Sequence, residues 1–212
     1  MKKINLLLAI ICGVITIAFI YFSQQQKPII QQSKIVQAQT SKTTNNYKKI
    51  KQKLTDAKKY VATHKMSNTY CILIDMALPS NKKRMYVYQL SNDSLLTKGL
   101  VAHGNCNTSF LKEAEFSNTP ECGCSALGKY KIGYKYNGQF GEAFKLYGLD
   151  SSNSNAFKRF IVLHSYSCVP NEETDYPICN SLGCPMVSPN FLTEIKTYIQ
   201  LTNKPILLWM FQ

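Results

Sequence analysis

The residues best equipped for chemistry are Ser181-Leu182-Gly183-Cys184-Pro185, downstream of a strand-like run from Arg159 to Leu163 that ends in His164-Ser165. A thiol on a glycine-preceded turn, with an imidazole delivered from the end of a hydrophobic strand, suits acyl transfer through cysteine. Cysteine is nucleophilic as its thiolate, and His164 is a base able to make one. Gly183 lets the backbone bend tightly, so that amide N–H groups near Cys184 can face a developing oxyanion. Pro185 fixes the chain that leaves the nucleophile. The plainer reading of the same residues is a buried structural cysteine and a histidine that closes a strand.

Short strands must position these groups. Beyond Asn68, runs rich in β-branched and aromatic residues alternate with polar turns: residues 70–76, 85–90, 95–102, 130–133, 144–149, 160–164 and 206–211. One later helix is predicted, with Ser188 as its cap, Pro189 at its first position and an apolar face of Phe191, Leu192, Ile195, Tyr198 and Ile199. Upstream, Tyr47, Ile50, Leu54, Ala57 and Val61 recur at helical spacing with lysines on the other face. This pattern predicts a basic amphipathic helix over 47–65 that docks on the following domain.

Before that helix, Lys2-Lys3 and the apolar run from Ile4 to Phe22 read as an uncleaved membrane anchor with a cytoplasmic N-terminus. Residues 23–46, rich in Gln, Ser, Thr and Lys, read as a flexible linker. The net charge of +13 is unevenly spread: residues 1–65 carry twelve lysines and one acid, Asp56, whereas residues 66–212 carry an excess of only +2. A basic nucleic-acid-binding domain is therefore disfavoured, and a lysine-rich tether facing an anionic wall or lipid surface fits better. The chain is expected on the extracytoplasmic side of the cell envelope, anchored in the inner membrane.

Eight cysteines suit an oxidising compartment. With Cys12 in the anchor and Cys184 kept free, Cys71, Cys106, Cys122, Cys124, Cys168 and Cys179 can form up to three disulfides. Cys168 with Cys179 is the first pairing to expect, as a staple in the loop between base and nucleophile. Cys122-x-Cys124 with His103 or Cys106 lacks the spacing of ordinary zinc knuckles. No metal or other cofactor is expected, and the sequence leaves oligomeric state open.

Several segments occur in a telling order: Ile74-Asp75 with Ser80 and Arg84, Val101 to Gly104, Phe116 to Asn118, Ser125 to Tyr130, Gly148 to Asp150 with Asn155 and Ala156, Arg159 to Ser165, and Ser181 to Val187. From about Tyr70 to Phe211 the chain resembles the L,D-transpeptidase catalytic domain (YkuD-like) in its branch with a Ser-x-Gly-Cys-Pro turn. The resemblance implies a mainly β fold, a β-sandwich or mixed sheet with a packed C-terminal helix, over residues 66–212. It implies Cys184 as nucleophile, His164 as base, the Ser165 carbonyl as the group holding the imidazole, and the N–H groups of Gly183 and Cys184 at the oxyanion. It also implies that His103, Gly104, Ser125, Gly128 and Ser181 border the substrate, a peptidoglycan stem peptide. For His103 a turn-shaping role is equally open. Family members with a second histidine before the Gly-Cys pair and a polar residue shortly after it differ from this chain, which has Leu182, Met186 and Val187 in those places. Three other readings remain open: a carboxypeptidase using water as acceptor, a non-catalytic membrane-tethered wall-binding protein, and a papain-like protease. The last is weakened because the nucleophile follows its histidine in the chain.

Overall fold

The computed structural model describes residues 44–212; the expected anchor and most of the expected linker fall outside them. No helix among the described residues is long and apolar enough to cross a membrane. The chain divides into two compact units, residues 1–49 and 50–212. In the first, the described residues 44–49 are helical. The second opens with helix α1, residues 50–63.

Eight strands follow: β1 (Tyr70–Asp75), β2 (Met85–Gln89), β3 (Ser94–Gly99), β4 (Gly128–Gly138), β5 (Gly141–Gly148), β6 (Val162–Ser165), β7 (Met186–Val187) and β8 (Leu207–Phe211), with helix α2 (Pro189–Gln200) between the last two. They form one mixed sheet in the order β3-β2-β1-β8-β4-β5-β6-β7 rather than two stacked sheets. β1 runs parallel to β8 and β6 parallel to β7; the other pairs are antiparallel.

Side-chain alternation gives the sheet two apolar faces. On one, Ile72, Ile74, Tyr130, Ile132, Phe144, Leu146 and Leu163 pack with Phe191, Leu192 and Ile195 of α2. Ser188 caps that helix by accepting the Phe191 N–H at 3.2 Å, and Pro189 opens it, as predicted from the sequence. On the other face, Cys71, Leu73, Leu207 and Phe211 meet Ile50, Leu54, Ala57 and Val61 of α1. The central strand β1 is thus buried on both faces, which explains its continuous apolar run. Because α1 packs over β1 and β8, the outer face of β4, β5 and β6 is left for the site.

Candidate active site

Strand register decides which groups meet. Along β5, Phe144 and Leu146 point into the core, so Ala143, Lys145 and Tyr147 point outward. Ala143 pairs with His164, and Lys145 with Val162. Directly paired residues share a face, so the His164 ring stands on the outer face beside Lys145. β7 is the short strand that leaves the Cys184 turn, and it pairs Met186 with His164. The sheet itself therefore brings thiol and imidazole together. Both line a cleft of about 220 Å3, with Asn105, Phe140, Tyr166, Ser181 and Leu182.

His164 is 4% exposed, and its Nδ1 lies 3.2 Å from the Ser165 carbonyl. A carbonyl only accepts, so Nδ1 carries the proton and the Nε2 lone pair is available as a base. Phe140, from the β4–β5 turn, stacks on the imidazole at 5.1 Å. Burial lowers the His164 pKa, while the Ser165 contact acts to raise it. The Cys184 sulfur accepts the Val162 N–H at 3.5 Å and lies 3.8 Å from the Phe160 carbonyl. Burial raises its pKa; the Val162 N–H and the positive charges of Arg159 and Lys145 pull the other way. A raised thiol and a lowered imidazole both favour the neutral forms of the two groups.

The turn before Cys184 is built by hydroxyls and close backbone packing. Ser181 Oγ accepts the Gly183 N–H at 3.1 Å and donates to the Cys184 carbonyl at 2.7 Å. Ser125 Oγ donates to the Gly183 carbonyl and accepts the Gly104 N–H. Gly183 has φ +112°, and a Cβ there would lie 2.7 Å from the Cys124 carbonyl oxygen. Side chains are excluded on both counts. With the Gly183 N–H turned to Ser181, the Cys184 N–H is the amide of this pair that has no partner among the described residues.

Of the other residues singled out in the sequence, Ser181 lines the cleft. Ser125 and Gly104 lie buried behind it. Gly128 sits at the start of β4, packed against Asn153 and Asp150. His103 is fully buried, with Arg84 Nη2 donating to its Nδ1 at 2.9 Å. Its Nε2 therefore carries the proton and donates to the Leu111 carbonyl at 3.0 Å. Burial and the Arg84 charge push its pKa down to about 4. The His103 carbonyl accepts the Ser181 N–H, so this residue reaches the cleft through its backbone. Burial lowers Arg84 itself to about 10.

Among the described residues, disulfides join Cys168 to Cys179 and Cys106 to Cys124, while Cys71, Cys122 and Cys184 are free. Cys71, assigned to the pairing pool by its compartment, is instead buried under α1 among apolar side chains. The Cys168–Cys179 bridge staples the segment between β6 and β7, which is also held to the loop before β2. There Ser80 accepts the Ile178 N–H, Asn81 donates to the Thr174 carbonyl and Lys82 pairs with Glu173. Sequence reasoning missed Phe140, Phe160 and the Val162 N–H. Phe140 is an aromatic in a polar turn, Phe160 reads in the sequence as the first residue of a strand but lies in the turn before β6, and a backbone donor has no signature in the side-chain sequence.

The chain matches the family model of the L,D-transpeptidase catalytic domain over residues 41–209. No curated protein matches it. Among solved structures it is similar to the helical cell shape determining protein Pgp2 from Campylobacter jejuni, at 15% identity and a TM-score of 0.41, over 67% of this chain and 47% of that one. It is also similar to an L,D-transpeptidase from Xylanimonas cellulosilytica, at 13% identity and a TM-score of 0.37, over 70% of this chain and 63% of the other. An L,D-transpeptidase from Mycobacterium smegmatis has 11% identity and a TM-score of 0.38, over 68% and 59%. The chain spans about half to three-fifths of the length of these proteins.

Proposed function

As the chain belongs to the L,D-transpeptidase catalytic domain family, we propose that it is a cysteine-dependent peptidoglycan L,D-transpeptidase of the cell envelope. The observation that carries this reading is the shared cleft of Cys184 and His164, with Nδ1 tied to the Ser165 carbonyl and Nε2 left as the base.

The thiol proton passes to Nε2 as the sulfur attacks the carbonyl of the third, diamino-acid residue of a tetrapeptide stem. The Cys184 N–H receives the oxyanion in this reading, while Ser181 holds the Gly183 N–H and the Cys184 carbonyl. As the tetrahedral adduct collapses, Nε2 returns the proton to the departing D-alanine amine, leaving a thioester on Cys184. An amine of a neighbouring stem then gives its proton to Nε2 and takes the acyl group. The product is a cross-link, and the thiol is restored.

Incubating the protein with disaccharide tetrapeptides tests the assignment. Release of D-alanine together with a cross-linked dimer supports it, and equal activity in Cys184→Ala sinks it. Tripeptide without dimer would instead identify water as the acceptor.

A further inference from the structure

The open outer face carries aromatic rings interleaved with lysines, running from the cleft across β5 and β4. Lys145 Nζ lies 4.4 Å from the Tyr136 ring centre, 5.9 Å from that of Phe157 and 5.8 Å from that of Phe160. Phe157 stacks on Tyr147 at 5.2 Å with the ring planes 9° apart, and Lys131 Nζ sits 4.6 Å over Tyr147. Phe157 and Phe160 are 50% and 74% exposed. Phe160 also holds φ at +55°, a costly backbone for a bulky residue, and its carbonyl lies against the Cys184 sulfur. Neither Lys131 nor Lys145 pairs with a carboxylate among the described residues, whereas Lys129 and Lys135, which share β4 with Lys131, do. Beyond Tyr147 the strip opens into a depression of about 370 Å3 whose lining includes Lys131, Asn203 and Lys204.

We propose that this strip binds the sugar strand of peptidoglycan and so presents its stem to Cys184; the proposal rests on the transpeptidase reading of the cleft. The chemistry matches on two counts. Pyranose rings carry apolar C–H faces that lose water against exposed aromatic rings, and lysines without acidic partners meet the carboxylates of the peptide arms. Length matches as well. Lys145 pairs with Val162, whose N–H holds the Cys184 sulfur, and Tyr147 lies two residues further along β5, about 7 Å, and one strand spacing across. The stacked rings thus begin roughly 10 Å from the nucleophile. A stem attacked at its third residue has its sugar end three extended residues away, also about 10 Å.

The test uses the full chain and soluble, uncross-linked glycan strands bearing tetrapeptide stems, with the free tetrapeptide as second substrate. Phe157→Ala should raise the Kd for strands about tenfold and Lys131→Ala severalfold, and Phe157→Tyr should restore binding. The ratio of kcat/KM on strands to kcat/KM on free tetrapeptide should fall in parallel. Wild-type binding to strands that both alanine variants preserve overturns the proposal while the transpeptidase reading stands. So does equal binding to a sugar-free polyanion such as polyglutamate that Phe157→Ala leaves untouched. Failure of the wild type to release D-alanine from either substrate overturns the underlying reading as well.

Discussion

Gly183→Ala concentrates the logic of the active-site turn in one methyl group. At φ +112° an L-residue is strained, a cost of about 1–3 kcal/mol. The added Cβ would also lie 2.7 Å from the Cys124 carbonyl oxygen, 3.2 Å from Arg159 Nη2 and 3.2 Å from Ile161 Cδ1. Backbone oxygen and guanidinium are both tied down, since Arg159 donates to the Cys124 and Ser117 carbonyls. The turn must therefore yield by several tenths of an ångström, taking Cys184 with it. Gly141 provides the control: its φ is +82°, yet a Cβ there meets nothing within 4 Å, so Gly141→Ala isolates the backbone cost. By urea denaturation, Gly141→Ala should cost about 1 kcal/mol and Gly183→Ala about 3 kcal/mol, the latter lowering Tm by roughly 6–12 °C. Misplacing a reacting atom by 1 Å can cost about 100-fold, so the smaller shift here should lower kcat/KM for D-alanine release by at least about tenfold. Equal stability of the two variants, with D-alanine release by Gly183→Ala within about twofold of wild type, would refute the reasoning.

Burial raises the Cys184 pKa and lowers that of His164, and both shifts favour a neutral resting pair. Thiolate absorbance should be absent near pH 7, and the pH profile of kcat/KM should keep its acid limb below the ordinary imidazole value and its alkaline limb above the ordinary thiol value. An ion pair already present at pH 5 would contradict this. For His103, held at about 4 against an ordinary 6.5, the unfolded chain binds more protons below pH 6.5. Its contribution of about 3 kcal/mol should thus be complete above pH 6.5 and lost as pH falls towards 4. Urea denaturation of His103→Gln should show a correspondingly flatter stability slope in that window, and an unchanged slope would exclude the buried neutral imidazole. Replacing Cys168 and Cys179 together by serine should cost up to about 3 kcal/mol but leave the sheet folded, because the hydrogen bonds that Ser80 accepts from Ile178 and Asn81 donates to Thr174 still hold the loop. A loss of cooperative unfolding in that variant would show that the bridge supports the core.

Much of this fold was legible because periodicity and burial agree in it. β1 and β8 are continuous apolar runs, and they are the strands covered on both faces. α1 and α2 show their stripes, whereas Tyr47, read from the sequence as part of the first stripe, lies outside α1 and is 67% exposed. The β4–β5 hairpin was legible only in part. Lys135, Asn137 and three glycines break the strand pattern between residues 133 and 141, yet pairing continues to Gly138 and Gly141 around a register shift after Ile132. β7 is two residues long and has no local signal; it exists because Met186 and Val187 meet β6. At the candidate site, Cys184 and His164 were singled out by their chemistry and Ser181 by the resemblance, and the structure brings all three to one cleft. Phe140 and Phe160 were not, because their roles arise only when the sheet brings the two turns beside His164 and Cys184.

The most direct test of the central claim is the covalent intermediate itself. Full-length protein mixed with a disaccharide tetrapeptide, quenched in acid during turnover and digested, should give a peptide containing Cys184 whose mass is raised by the donor less its terminal D-alanine. The same species should be missing from Cys184→Ala and should form far more slowly in His164→Gln. D-alanine release without an adduct on Cys184, or an adduct on Cys122 in its place, would contradict the account.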